Sequence, residues 1–320
     1  MDYALGIDIG GTNTVFGLVD RNGNVLAKKS IFTMSQNPVQ ELLDRLFFDV
    51  SVLESELNDE VKLAGIGIGV PNGNYHTGMI NPNPPNLGTY WDSLDLVNTI
   101  KDYRDLPVIV TNDANAAAIG EMYFGAAKRI RDFVVITLGT GLGSGIVVNG
   151  NVLYGHDGSA GELGHIVIEK NGRMCKCGKS GCLEMYVSSK GLDLTVKEFK
   201  ARYPDDTFLY NLPDKKVDGK EMDDAFDRGE ERAREIYNYI GGILGIGLAQ
   251  AATILSPEAF IFYGGISNAG DRLLKPALAS MNENLLSQQK GKITLKLSGV
   301  PDGEAGILGA TSLIWDNVRD

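Results

Sequence analysis

A strand, a glycine turn and a returning strand open this chain, and the same pattern comes back some 130 residues later. Residues 3–9 are a nearly unbroken apolar run, Gly10-Gly11-Thr12-Asn13 turns, and residues 14–19 run back. Asp20-Arg21-Asn22-Gly23-Asn24 then makes a hairpin turn into residues 25–31. In the second copy residues 133–138 lead into Gly139-Thr140-Gly141-Leu142-Gly143-Ser144-Gly145, and Asn149-Gly150 supplies the hairpin turn. A chain that opens on a meander, with no G-x-G-x-x-G after its first strand, is not a dinucleotide-binding fold. A single double glycine after a strand is ordinarily a turn and nothing more. Two such hairpins facing each other can grip one nucleotide's phosphates from both sides, with backbone amides and the hydroxyls of Thr12, Thr140 and Ser144 as donors. Asp8, beside the first turn, is then placed to orient a hydrated metal ion carried by the phosphate.

The length of 320 residues suffices for two cores. A formal charge of -11 speaks against nonspecific binding to nucleic acid or to an anionic membrane. The first residues show no basic stretch leading into an apolar run, so no signal peptide is expected, and no apolar run reaches the length of a membrane span. Three reduced cysteines fit a cytoplasmic setting better than a disulfide framework.

Residues 38–57 carry apolar side chains at helical spacing. Residues 61–70 return to the sheet and end in Pro71-Asn72-Gly73, at the strand end where open sheets place ligands. Asn81-Pro82-Asn83-Pro84-Pro85-Asn86 is a stiff loop with short amides, suited to a polyhydroxylated ligand and equally to a plain linker. A strand over 106–111 leads to Asn112-Asp113, which open an alanine-rich helix to about residue 124. Asp113 is either a helix cap or a general base projecting from the helix start. Residues 195–223 are polar and carry no clear pattern, while 222–256 read as a long helical region interrupted by Gly241, Gly242, Gly245 and Gly247, either two helices or one kinked helix packed tightly through its glycines. A strand over 259–263 ends in Gly264-Gly265, where a nucleoside can lie against bare backbone. The last strand is expected over 293–297 and the last helix over 304–315.

All three cysteines lie in Cys175-x-Cys177-x4-Cys182, with His165 ten residues upstream. Three thiolates and an imidazole complete a tetrahedral set for structural zinc and leave no open position for Lewis-acid chemistry. The alternative is three unrelated thiols, but Lys176, Gly178, Lys179, Ser180 and Gly181 are turn material rather than core. A metal-tied loop also fixes the backbone under Glu162 and Glu184. Residues 172–180 end in Gly-Lys-Ser but space their glycines wrongly for a phosphate loop, so that motif is rejected.

Together Asp8-Ile9-Gly10-Gly11-Thr12, Asn112-Asp113, Leu138-Gly139-Thr140-Gly141-Leu142-Gly143, Gly161-Glu162-Leu163-Gly164-His165, Cys175-x-Cys177-Gly178-x2-Gly181-Cys182-x-Glu184 and Gly264-Gly265 resemble the ROK family of sugar kinases and repressors, over essentially the whole chain. The resemblance implies a two-lobed α/β fold of the actin-like, ribonuclease-H-like kind, with mixed central sheets and an interlobe cleft. It implies a smaller lobe over 1–115, completed by 304–320, and a larger one over 116–303. It implies ATP-dependent phosphorylation of a hexose, most commonly glucose, with Mg2+ at the phosphates, structural Zn2+ and a cytoplasmic homodimer. Asp113 is then the general base; Gly73, Asn112, Glu162, His165 and Glu184 meet the sugar; His165, Cys175, Cys177 and Cys182 hold zinc. Asp8, Gly10, Gly11, Thr12, Asn13, Thr140, Gly141, Gly264 and Gly265 meet the nucleotide. Asn13 stands where many members carry Lys. The family's repressors precede this region with a DNA-binding domain, which Asp8, so near the first residue, leaves no space for. The kinase is therefore the expectation and a noncatalytic sugar-responsive regulator the alternative.

Overall fold

The computed structural model describes residues 2–57, 62–301 and 303–317. In chain order these form β1 (Asp2–Ile9), β2 (Asn13–Asp20), β3 (Val25–Phe32), α1 (Val39–Ser55), β4 (Lys62–Gly69), α2 (Leu96–Lys101), β5 (Val108–Thr111) and α3 (Asp113–Phe124). Next come β6 (Phe133–Leu138), β7 (Leu142–Val148), β8 (Asn151–Val152), α4 (Glu184–Val187), α5 (Ser189–Arg202) and α6 (Thr207–Asn211). The chain finishes with α7 (Gly219–Asp227), α8 (Glu231–Leu255), β9 (Ala259–Tyr263), α9 (Asp271–Asn284), β10 (Thr294–Leu297) and α10 (Ala305–Asn317). The expected strand start at Val61 and the helix end at 318–320 lie outside the described residues.

Two compact units result: Met1–Arg129 with Gly145–Ala160 and Gly299–Asp320, and Ile130–Ser144 with Gly161–Ser298. α3 thus lies whole in the first unit, where the sequence drew a division at residue 115.

In the first unit the sheet runs β3-β2-β1-β4-β5. β1 and β2, and β2 and β3, pair antiparallel, whereas β4 joins β1 and β5 joins β4 in parallel. β1 is apolar at nearly every position because it is covered on both faces. α1 buries Val39, Leu42, Leu43, Leu46, Phe47 and Val50 in a core shared with β1, β2 and β4. α10 reaches β1 and β4 at backbone contact: a Cβ added at Gly6 would overlap the Ile307 carbonyl, and one at Gly67 the Ala310 carbonyl. Gly309 meets the Ala116 carbonyl of α3 in the same way. These notches draw the ends of β1, α3 and α10 together, which is where Asp8, Asp113 and Gly306 sit.

The second sheet runs β10-β9-β6-β7-β8, with β6, β9 and β10 parallel and β8 antiparallel to β7. The chain leaves the second unit for the first within β7, between Ser144 and Gly145. Both sheets therefore share one plan, a meander flanked by parallel strands, as the repeated sequence pattern requires.

The region makes two helices, but their division falls before the glycines, at Gly229 (φ 91°), and α8 then runs unbroken for 25 residues. The glycines are notches for α9: a Cβ on Gly241 would stand 2.6 Å from Pro276 Cγ, and one on Gly245 would overlap the Ala277 carbonyl. α8 is also long and apolar enough to cross a membrane, contrary to the reading of apolar runs, but half of that apolar window is buried in this unit. Residues 195–223, featureless in sequence, hold α6 and α7, capped by the Asp206 and Asp218 carboxylates. Two glycines three residues apart on α8 should respond oppositely to alanine. Gly245→Ala is expected to lower stability by roughly 1–3 kcal/mol through overpacking. Gly242→Ala, with nothing within 4 Å of its added Cβ, is expected to raise it by about 0.5–1 kcal/mol. Urea unfolding of both variants reads the difference.

Candidate active site

In the second unit, residues 174–182 fold into a small loop that brings distant thiols together. Met174 and Ser180 form a bridge, Cys175 N–H donates to the Lys179 carbonyl at 2.9 Å, and Gly178 and Gly181 take φ of 89° and 83°. A Cβ at Gly181 would overlap the Glu169 carbonyl, so this turn requires glycine twice over. The donor atoms of His165, Cys175, Cys177 and Cys182 all lie within 4.8 Å of one another. Cys177 and Cys182 Sγ are 3.6 Å apart, and Cys175 Sγ is 3.7 Å from His165 Nδ1. Tetrahedral coordination by sulfur and imidazole nitrogen sets such atoms about 3.5–3.8 Å apart. Burial, and then the neighbouring thiols, push Cys182 up to about 12, and burial raises Cys175 as well, whereas Cys177, against its burial, is lowered by the Lys179 N–H and the neighbouring thiols. All three could be held as thiolates together only around a cation. The set fits a tetrahedral divalent ion.

The His165 ring has two faces to its chemistry. Nδ1 points at Cys175, while Nε2 lies 3.9 Å from Glu162 Oε2. The surroundings raise the Glu162 carboxyl, first by withdrawing water and then through the Glu184 carboxylate, with His165 opposing. Its side chain is 57% exposed, so solvent screens that effect.

Glu184 opens α4, and its Oε2 accepts a hydrogen bond from Leu142 N–H at 2.9 Å. A Cβ at Gly141 would overlap the same carboxylate. The second glycine turn is thus seated on Glu184, a connection that the sequence motifs do not reveal. Thr140 is exposed beside it. Gly264 (φ 101°) packs against the Leu138 carbonyl, its added Cβ only 2.6 Å away, and Gly265 has open space around it. These residues gather at the C-terminal ends of β6 and β9.

In the first unit the corresponding group stands at the ends of β1, β4 and β5. A Cβ on Gly69 would lie 3.5 Å from Asp113 Cα and 3.9 Å from Asp8 Oδ1, so both acids flank one strand end. Asp8 is pushed up to about 7, chiefly by burial and then by the Asp113 carboxylate. Gly306, in the first turn of α10, backs it: an added Cβ would stand 2.5 Å from Oδ2. Of the two readings of the helix start, the cap falls to Asn112, whose Oδ1 accepts from Ala114 N–H at 2.9 Å. Asp113 Oδ1 shares that same donor at 2.9 Å. Gly73 abuts the Thr111 carbonyl, immediately before Asn112.

The first glycine turn is braced from outside. Gly10 N–H donates to the Asn13 carbonyl (2.9 Å), Thr33 Oγ1 donates to the Gly10 carbonyl (2.6 Å), and Thr33 N–H donates to the Thr12 carbonyl (2.8 Å). Asn86, from the proline- and asparagine-rich loop, presses on Gly11, where an added Cβ would come within 2.7 Å of its Cβ and carbonyl. Thr12 and Asn13 stay exposed. Asn74, not singled out in the sequence, is buried and donates through Nδ2 to the Asp157 carbonyl at 2.7 Å.

The ROK family model matches residues 4–317 of the chain. A glucokinase of Thermotoga maritima is 33% identical over 98% of this chain and 98% of its own. The xylose repressor of Bacillus subtilis is 29% identical over 99% of this chain and 78% of the repressor. The crystal structure of a ROK family glucokinase from Streptomyces griseus, in complex with glucose and AMPPNP, superposes with a TM-score of 0.83 at 30% identity, covering 98% of this chain and 100% of that one.

The Asp8 carboxyl carries a pH signature. Its folded value of about 7 stands above the ordinary 3.8, so between these values the folded form holds a proton that the unfolded chain releases. Its contribution to stability is complete below the ordinary value and is lost as pH rises through about 7. With chelator present, Asp8→Asn should unfold at higher urea than the parent at pH 8 and at a similar concentration near pH 4.

Proposed function

The chain belongs to the ROK family, and on that footing we propose that it transfers the γ-phosphoryl group of ATP to the primary hydroxyl of a hexose, with O6 of glucose as the first candidate. The observation that carries this reading is the second unit's single segment in which one imidazole serves the thiol cluster through Nδ1 and faces Glu162 through Nε2. The full-length similarity to glucokinases supports it.

Phosphoryl transfer asks mainly for positioning and charge stabilisation. Asp113, at the start of α3, accepts the proton of the attacking hydroxyl as the new P–O bond forms. Asn112 holds the helix start in place and offers its amide to the sugar beside Gly73. Glu162, Glu184 and His165 Nε2 take sugar hydroxyls, the carboxylates accepting and the imidazole, its Nδ1 given to the metal, donating through Nε2. The turns Gly10-Gly11-Thr12-Asn13 and Thr140-Gly141 meet the phosphates, and Gly264-Gly265 the nucleoside. Asn13 brings a hydrogen-bond donor but no charge. Asp8 would orient the water of a Mg2+ ion carried by the nucleotide, and that ion would supply the positive charge that Asn13 lacks. Zinc on His165, Cys175, Cys177 and Cys182 supplies rigidity alone, since all four positions are taken. A cytoplasmic homodimer feeding glucose 6-phosphate into glycolysis accompanies this reading. The similarity to the xylose repressor favours a second reading, sugar binding without turnover.

A coupled ADP-release assay across glucose, mannose, N-acetylglucosamine, fructose and allose decides between the two readings. The kinase reading expects the largest kcat/KM with glucose; hexose binding with no ADP release would favour the regulator. Asp113→Asn should lower kcat by roughly 10²–10⁴ while hexose affinity stays within several-fold; retention of half the turnover would remove Asp113 as the base. Elemental analysis should find one zinc per chain in the parent protein and none in Cys177→Ser.

A further inference from the structure

The thiol cluster ties the loop to His165 and touches the start of the helix that bears Glu184 through one backbone bond, Met185 N–H donating to the Cys182 carbonyl at 3.0 Å. A second residue of the loop grips that helix with its side chain. Arg173 precedes the first cysteine by two positions, and its side chain is only 8% exposed. All five of its guanidinium N–H donors are used. Nε and Nη2 grip the Glu198 carboxylate at 2.8 and 2.7 Å, and Nη2 also donates to Thr195 Oγ1 at 2.9 Å. Nη1 donates to the Met185 carbonyl at 2.8 Å and the Gly191 carbonyl at 3.1 Å. The guanidinium lies over the Tyr186 ring, 4.5 Å from its centroid. The backbone of Arg173 joins in, its N–H donating to Tyr186 Oη at 3.0 Å and its carbonyl accepting from Gly181 N–H at 2.8 Å.

These bonds matter because α4 cannot hold itself. It is four residues long, below the length at which a helix persists unaided. Ser189 N–H, which would close the next turn onto the Met185 carbonyl, donates instead to Gly139 at 2.9 Å. Arg173 supplies the missing partner. A planar, permanently charged fork does this in a way that a lysine ammonium cannot copy.

Resting on the sugar-kinase reading above, we propose that Arg173 is a positioning residue for the hexose: it clamps α4 from behind and so fixes the Glu184 carboxylate, independently of the metal. It touches neither substrate nor reacting atoms. The expected consequence of Arg173→Lys is specific. Zinc content stays at the parent level, kcat stays within about three-fold, KM for ATP is unchanged, and KM for the hexose rises on the order of ten-fold, as for other groups that orient a binding residue. In a Glu184→Gln background the same substitution should add less than about two-fold, because the two act through one carboxylate.

Hydrogen–deuterium exchange over residues 184–188 gives a readout that needs no turnover, and Arg173→Lys should accelerate it. An unchanged hexose KM, an equal rise in both backgrounds, or unaltered exchange at 184–188 would each overturn the proposal. Should Arg173→Lys fail to fold, Glu198→Gln leaves Arg173 itself in place but removes the charge and one of the two acceptor oxygens of the bidentate grip; it should shift hexose KM and exchange in the same direction by less, and no shift in either would count against the proposal. If the parent protein bound no hexose, the kinase reading would fall, whereas the exchange experiment would still decide whether Arg173 holds α4.

Discussion

Everything in the second unit turns on the His165 ring having two nitrogens with different neighbours. A ring fixed on one side by thiolate-bound metal loses the rotation that a surface histidine retains, and its other nitrogen becomes a hydrogen-bonding point of known direction. Glu162 lies on that side, three residues before it in the chain. Glu184 follows Cys182 by two residues, and its carboxylate is engaged by the backbone of the 139–143 turn. A binding surface assembled from loops is normally soft. On the proposed reading, a metal on the thiol cluster and the Arg173 clamp would remove that softness from two directions, leaving few degrees of freedom to be lost when a sugar binds.

The first unit reaches the same end with close packing instead of metal. Glycines on β1, β4 and α10 bring backbone against backbone, and α3 joins them through the Gly309 contact with Ala116. Asp8 and Asp113 are held at one strand end in consequence, close enough that one carboxylate raises the other. Two acids held together by tight packing are what the proposed phosphoryl transfer asks of this strand end. Neither acid is placed by a long flexible loop.

Much of this was legible in the residues. The repeated meander with its glycine turns showed the plan of both sheets because β-hairpins are local objects with local signals. The metal set was legible because its thiols sit within eight residues and the turn glycines lie between them. The glycines of α8 announced tight packing but not where the helix divides: a notch and a helix break look alike until the partner, some thirty residues further on in α9, is known. Arg173 carried no signal at all, since nothing in a sequence says where so long a side chain ends. Likewise α6 and α7 hide in a polar stretch because they bury one or two side chains each, and only Asp206 and Asp218 mark their starts.

If a metal-clamped loop seats the sugar, withdrawing the metal should loosen the sugar's hold, and calorimetric titration of glucose into the folded protein, with zinc present and after its removal by chelator, measures this. Affinity is expected to fall by roughly ten-fold or more on zinc removal and to return when one equivalent of zinc per chain is restored. A zinc-free protein that keeps its fold and binds glucose as tightly as before would show that the metal has no part in seating the sugar.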